Sequence, residues 1–540
     1  MISNLFKYIY LLLIYYSCQS SQLGTEAELN KAVENGKLAQ ESFRRSLDFT
    51  HAWLGKTDPQ SGLLPSNLNA KQDFWDPANA AADNYPFMVA TAYLLNRELY
   101  EGPLLHILQQ EKKLTSRLKV LPDVYSFSKQ DFEEKPLNMG KLIFGVSEYI
   151  KDGLIPLNEL IGPSPWQDRM LEMLDELYLY IADFDDLAKY FNRASSVEEI
   201  NGEMLQTLSR VYWMTQDKKY LDWAIAIADN YLIDNDLSQI EYLRLRDHGC
   251  EIIGGLSELY LCLQYLSHPK KNEYQLPLHR LLDRILEYGR NSDGLFYNAI
   301  NLKTQEIVDS RIADTWGYIL NAYYTVWMVD QKETYRKAVV KPFKALNQNY
   351  SGYAWEPGKD RGPLGSHDGY ADAIESGINL YNRENDPALA CWIDSQIQLM
   401  FGMQKPDGII EGWHGDGNFA RTALMYGLWK TQGVRLLPWN DSVFLGAVPT
   451  PKGLLIVLWA QTPWEGMLAF DQKRHQKILN LPVDYPRINQ FPEWFAPDPD
   501  QEYEMISSQK NLSGSYTGKQ LTKGIPLKLT SGTTLKILLQ

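Results

Sequence analysis

The chain has 540 residues, 44% hydrophobic and 22% charged, proportions that give a folded protein with a large core and exclude disordered, collagen-like and small disulfide-stapled classes. Lys+Arg total 53 against 67 Asp+Glu, a net charge of −14. Such an acidic surface repels phosphate backbones, so general nucleic-acid binding is excluded.

At the N-terminus, Leu5 to Tyr16 form a mostly apolar run around a single early cation, Lys7. The run is too short to span a bilayer and has the length of a signal-peptide core. Ser17 then precedes Cys18, a small residue before cysteine as at a bacterial lipoprotein processing site, although Tyr15 stands where a leucine is usual. The expectation is an exported protein of the periplasm or cell surface. Residues 1–18 would be its signal peptide and Cys18 the lipidation site, so membrane contact would come only through that anchor. The remaining cysteines, Cys250, Cys262 and Cys391, are odd in number and lack CxxC spacing. They predict buried thiols on helices rather than disulfides or a zinc site.

From about residue 25 to 436 the pattern is helical. Apolar residues recur at i, i+3, i+4 and i+7 in Glu203–Thr215, Tyr220–Leu232, Glu251–Leu266, Pro277–Arg290, Trp316–Val329, Glu333–Gln348, Ala371–Arg383 and Pro387–Gln404. Turn residues separate them, as in Asn291-Ser292-Asp293-Gly294 and Asn385-Asp386-Pro387. The helices pair, and polar clusters centred on Asn201, Asp247, Asp314, Asp372 and Asp416 recur at spacings of 46, 67, 58 and 44 residues. Each cluster sits near the start of the first helix of a pair. Repeated helical hairpins give an open solenoid or a closed ring. Polar helix starts that converge on one mouth favour the closed form, so the expected fold is a mainly α (α/α) toroid. Beyond residue 437 the pattern changes. Gly453–Gln461 and Gly466–Asp471 read as strands, and Leu527–Leu538 as a hairpin around Ser531-Gly532. A small β-rich C-terminal subdomain, 437–540, is expected to pack on the toroid and to carry no chemistry of its own.

Six constellations could carry chemistry. Arg244–Glu251 (RLRDHGCE) gathers Arg244, Arg246, Asp247, His248 and Glu251. Arginine offers a planar fork for a carboxylate or sulfate, and His248 titrates near neutrality. The plainer reading is a helix cap at Asp247 with solvated charges. Ser366–Glu375 (SHDGYADAIE) holds Tyr370, Asp372 and Glu375. Two carboxylates three residues apart on a helix can serve general acid/base work on a glycosidic bond, while Ser366 or Asp368 could merely cap the helix. Ala313–Tyr318 (ADTWGY) sets Asp314 beside Trp316 and Tyr318, an acid with aromatic platforms or a cap followed by core aromatics. Ala78–Phe87 (ANAAADNYPF) offers Tyr85 as a proton-transfer group or as a packed side chain. Asn201-Gly202-Glu203 opens a helix, so Asn201 and Glu203 could face the lumen, or Glu203 could only favour the first helical turn. Glu411–Arg421 (EGWHGDGNFAR) reads as a Gly-rich rim loop in which Trp413 and His414 could meet a substrate. GxxxxGK[ST], HExxH, GxSxG and a GxGxxG placed after a strand are missing, and no organic cofactor or metal is expected.

The segments DNYPF, NGEML, LRLRDHG, ADTWGY and DGYADAIES, spread over Gln40 to Arg421, resemble (α/α)-toroid enzymes of bacterial polysaccharide-utilisation systems that act on uronic acids. That group contains β-glucuronidases, and within it the sequence is similar to the dehydratases of ulvan breakdown. The resemblance implies an oligosaccharide substrate with glucuronic acid at its non-reducing end. The similarity favours dehydration to a 4,5-unsaturated uronate, with hydrolysis of the β-glucuronidase type as the alternative. Arg244 or Arg246 then fits the sugar carboxylate, with Asp247, Glu203, Asn201, Trp316, Tyr370, Trp413 and His414 as further substrate contacts. His248 and Tyr85 suit proton transfer at carbon, while Asp314, Asp372 and Glu375 suit glycosidic acid/base work. A glycan-capture protein without catalysis would use the same aromatics but has no need of so many acids.

Overall fold

The computed structural model describes residues 23–182, 187–191, 194–357, 365–413 and 415–540, apart from the side chains of 194, 195 and 248. Cys18 lies outside the described residues. No helix among those described is long and apolar enough to cross a membrane.

Helices come in outer–inner pairs around a ring. The inner segments in chain order are Pro77–Asn84 continuing into Tyr85–Leu95, Met139–Glu148 continuing through Tyr149–Leu154 to Ile155–Ile161, Ala194–Thr215, Glu251–Tyr265, Trp316–Asp330, His367–Glu384 and Asp416–Thr431. Each packs on the next, and the last packs on the first, which closes the toroid. Closure is tight at Gly417, where an added Cβ would lie 1.8 Å from the Asp83 carbonyl oxygen. The outer layer includes Glu26–Leu54, Leu105–Leu114, Pro165–Ile181, Lys218–Asp229, Lys270–Tyr288, Glu333–Asn349 and Pro387–Phe401. The first of these spans the seam: Trp53 donates its indole N–H to Asp416 at 3.1 Å.

Local chemistry sets the helix starts. Thr25 and Glu28 form a reciprocal capping box, Ser164 and Asp386 cap helices whose first residue is proline, and Ser366 caps His367–Glu384 through the Gly369 N–H. Ala194–Thr215 begins before the expected Glu203, so Asn201 and Glu203 lie inside a helix rather than opening one. Lys270–Tyr288 likewise runs through Pro277, which forgoes one backbone hydrogen bond. Pro77–Asn84 and Tyr149–Leu154 are π-helical, a widened winding frequent where helices carry function.

The C-terminal strands form two antiparallel sheets. One orders Val443–Thr450, Gly453–Ala460, Thr534–Leu539, Glu502–Ser507 and Gly514–Thr517, and the other orders Ile525–Leu529, Trp464–Ala469 and Arg435–Leu437. Ile525–Leu529 and Thr534–Leu539 therefore are not the expected hairpin. The chain crosses between sheets at Ser531-Gly532, because each strand finds an apolar partner elsewhere, Trp464–Leu468 and Leu454–Trp459 respectively. The larger sheet lies on Glu26–Leu54, where the Asn35 amide donates to the Ala447 carbonyl at 2.9 Å. Between the strands, residues 479–491 return to the toroid. Leu479, Leu481 and Tyr485 pack against Leu261, and Arg487 reaches buried Glu159 at 2.5 Å. Cys250 and Cys262 are buried thiols, whereas Cys391 is exposed on the outer helix Pro387–Phe401, which corrects the expectation for that residue.

Candidate active site

The starts of the inner helices meet in one recess with about 740 Å³ of empty space. Arg246, Asp247, Asp314, Asp372 and Trp413 line it, as do Tyr318 and Arg421. Asp83 lines it too, so tertiary structure brings together residues from five of the six sequence constellations.

Arg246 stands between carboxylates, donating to Glu356 at 2.8 Å with Asp314 at 3.9 Å and Asp247 at 4.0 Å. Asp247 has φ +51°, a left-handed conformation that aspartate tolerates better than most residues. Its N–H donates to the Thr315 hydroxyl at 3.0 Å, and Arg244 pairs with its carboxylate. Asp314 is 5% exposed. Burial pushes its carboxyl up to about 8; Arg246 opposes the shift, while Asp372, Glu356 and Asp247 add to it.

Across the recess, Asp372 accepts from Arg421 at 2.8 Å and from the Tyr318 hydroxyl at 3.0 Å. Burial raises it to about 6, with Arg421 holding it down. Glu375 is fully buried beneath it, 2.8 Å from Arg421, and accepts from Tyr318 at 2.7 Å and from the Asn489 N–H at 2.6 Å. Its pKa is raised by burial against the Arg421 charge. Glu375 therefore anchors the recess wall rather than lining it.

The floor comes from the C-terminal segment. Asn489, with φ +61°, accepts from Arg421 at 2.7 Å and donates to the Asp152 carboxylate at 3.0 Å, and Ile488 lies beside it. Lys151 is buried between Asp152, 2.7 Å away, and Glu251. Burial opposes its charge, but these carboxylates more than offset that and raise its pKa. Glu203 sits just below, its carboxylate within 4.8 Å of Glu148 and Asp152. Three carboxyl groups so close have the donor set of a cation site. Burial, with Glu203 and Asp152 nearby, holds Glu148 well above the carboxylate range, so a proton and Lys151 also balance this cluster.

At the rim, Trp413 donates its indole N–H to Glu411 at 2.8 Å, and its ring meets His367 edge-on at 5.7 Å. His367 is buried between Glu411 at 2.8 Å and Asp416 at 3.3 Å; burial disfavours its charge, but these acids raise its pKa. Asp416 itself accepts the N–H groups of Ile410, Glu411 and Gly412, so it holds the loop in shape.

Other sequence candidates fall elsewhere. Tyr85 is 2% exposed, donates to the Leu104 carbonyl at 2.8 Å and accepts from the Trp166 indole at 2.8 Å. Burial drives its pKa up, against the lowering that proton transfer at neutral pH requires. Trp316 is fully buried against Trp392, and Tyr370 is 5% exposed and donates to the Tyr353 carbonyl. Asn201 is buried and donates to the Tyr231 hydroxyl at 3.1 Å. These four belong to the core because their side chains point away from the lumen. The His248 side chain and His414 lie outside the described residues. Sequence reasoning missed Asp152, Glu356, Asn418, Ile488 and Asn489. Asp152 had a signal in the polar pair Lys151-Asp152 within an apolar helix, but Glu356 and Asn489 stand on loops with no pattern.

No family model and no curated protein sequence matches the chain. Among solved structures, an inactive variant of the α-1,6-mannanase GH76A of Salegentibacter sp. HEL1_6 in complex with α-1,6-mannotetrose aligns at TM-score 0.40 and 10% identity over 72% of this chain and 98% of that one. A D-mannose isomerase aligns at TM-score 0.41 and 13% identity over 61% and 88%. The cellobiose 2-epimerase of Bacillus thermoamylovorans B4167 aligns at TM-score 0.38 and 12% identity over 71% and 97%.

Proposed function

We propose that the recess is the active site of a carbohydrate-processing enzyme that acts on the non-reducing-end glucuronic acid of an oligosaccharide, of ulvan type. Asp314 would be its general acid and Asp372 its partner carboxylate. The observation that carries the proposal is geometric: two carboxyl groups line one recess, Asp314 beside Arg246 and Asp372 held by Arg421 and the Tyr318 hydroxyl. Burial pushes Asp314 up to about 8, whereas Asp372, held down by Arg421, rises only to about 6, so Asp314 keeps a proton more readily. Paired carboxyl groups held apart in this way divide acid and base roles between them.

Asp314 would protonate the departing oxygen, and Asp372, oriented by Arg421 and Tyr318, would take a proton from water. Arg246 would meet the sugar carboxylate, while Arg244, which does not line the recess, holds Asp247 beside it. The recess holds more carboxylates than cations, so a uronate fits only against Arg246 and while Asp314 is neutral.

Dehydration is the second reading, favoured by the resemblance of LRLRDHG and ADTWGY, both of which supply lining residues. It needs a base at C5. With Tyr85 in the core, His248 is the remaining candidate from the sequence.

The test is incubation with glucuronate-terminated oligosaccharides, read by mass spectrometry and ultraviolet absorbance. Release of saturated glucuronic acid supports hydrolysis. Loss of one water from the intact oligosaccharide, with rising absorbance of a 4,5-unsaturated uronate, supports dehydration. Turnover of neutral-sugar oligosaccharides alone would overturn the uronate assignment and leave the acid/base pair standing. In the cell, residues 1–18 and Cys18 would place the enzyme in the periplasm or at the surface as a lipoprotein, tested by radiolabelled palmitate and Cys18→Ala.

A further inference from the structure

A second cavity, with about 640 Å³ of empty space, opens among Lys71, Phe74, Asp76, Asn79, Lys141 and Phe144. Its volume lies within the range of small-ligand sites, roughly 300–1,000 Å³. Its walls continue those of the recess. The segment Pro77–Asn84 gives Asn79 to the cavity and Asp83 to the recess. The run Met139–Leu154 gives Phe144 to one and Asp152 to the other. These offsets are four and eight residues, about one and two helical turns, a span that one or two sugar rings would cover beyond the recess. Gly145 lets the two walls touch, since a Cβ there would lie 2.6 Å from the Pro77 ring.

The lining suits a sugar. Phe74 and Phe144 are half-buried and keep ring surface open to the cavity. Asp76 fixes the Asn79 amide at 2.7 Å, and Glu133 and Glu134 hold Lys141 at 2.5 and 3.3 Å. Lys71 is exposed and forms no ion pair among the described residues. Aromatic faces give a sugar ring an apolar platform, an oriented amide offers hydrogen bonds, and an unspent ammonium attracts an anionic substituent.

We propose that this cavity is a second glycan subsite, which takes a distal sugar of the same oligosaccharide and its carboxylate or sulfate at Lys71. The inference rests on the oligosaccharide reading of the recess and assigns a separate ligand contact. The test is calorimetric titration of full-length Asp314→Asn protein, chosen to slow turnover, with glucuronate-terminated ulvan disaccharide and hexasaccharide. The hexasaccharide is expected to bind at least tenfold more tightly. Adding Lys71→Met should remove most of that gain, leave the disaccharide within twofold and leave the melt unchanged. A desulfated hexasaccharide that keeps its dependence on Lys71 assigns the carboxylate, and one that loses it assigns the sulfate. Equal affinity for the two lengths, or equal weakening of both by Lys71→Met, would overturn the subsite and leave the recess reading intact. Failure of the disaccharide to bind, with a hexasaccharide still sensitive to Lys71→Met, would overturn the terminal-glucuronate reading and retain the subsite. Absence of binding by either length would overturn both.

Discussion

Arg421 donates to Asp372 at 2.8 Å from the same nitrogen that stands 2.8 Å from Glu375, so one buried guanidinium holds a recess carboxylate and its anchor together. Removing one partner from such a network leaves buried charge uncompensated. Arg421→Met is expected to cost about 3–5 kcal/mol of stability, read as a lowered denaturant midpoint. Arg421→Lys should recover part of this but not the shared geometry, because an ammonium lacks the planar fork.

Asp314 and Asp372 set opposite limits on pH. Activity should fall as pH rises past about 8, when Asp314 loses its proton, and as pH drops below about 6, when Asp372 gains one. Asp314→Asn should lower kcat at least about 100-fold and abolish the alkaline limb. Stability carries its own signature. The folded value of Asp314 lies above the unfolded one, near 3.9, so the native state holds a proton that the unfolded chain has lost between about pH 4 and 8. Stability from this group therefore declines as pH rises through that window, and chemical denaturation of Asp314→Asn should show a flatter profile there. An unchanged slope would sink the assignment.

Asn489 gives a test of the floor. Asn489→Gly keeps the backbone at φ +61° without strain but removes the contacts to Arg421 and Asp152. It should fold, and kcat should fall about tenfold with a smaller change in KM, as for a residue that acts through Arg421. Asn489→Val removes the same contacts and adds backbone strain of about 1–3 kcal/mol, visible as a lower melting temperature than the glycine variant.

Two tyrosines separate structure from chemistry. Tyr85→Phe deletes a hydroxyl that serves the Leu104 carbonyl and the Trp166 indole, at a cost of about 1–3 kcal/mol, with kcat unchanged. Tyr318→Phe removes the donor shared by Asp372 and Glu375, so its activity should drop and its acidic pH limit should move upward. Equal kinetic effects from both would contradict the division.

Hairpin periodicity and polar helix starts made the toroid readable, because both follow from local spacing. The same logic singled out Arg246, Asp247, Asp314, Asp372 and Trp413, which line one recess. It failed where a helix start offers two faces. Tyr85, Trp316 and Tyr370 sit at the right height but point into the core, and spacing fixes height better than rotation. It failed also at Asn489, whose N–H meets Glu375, a residue 114 positions away. Neither periodicity nor turn chemistry encodes a contact between a loop and a helix so far away. Glu356, which holds Arg246 from a loop, was hidden for the same reason.

The segment through Tyr485, Arg487 and Asn489 has a mechanical consequence. Asn489 is wedged among Arg421, Asp152 and Glu375, so one loop residue braces side chains that three different inner helical segments carry. Loosening of the C-terminal segment would therefore be felt at Asp372 and Asp152 together, so the subdomain is a brace for the recess as well as a cover for the toroid.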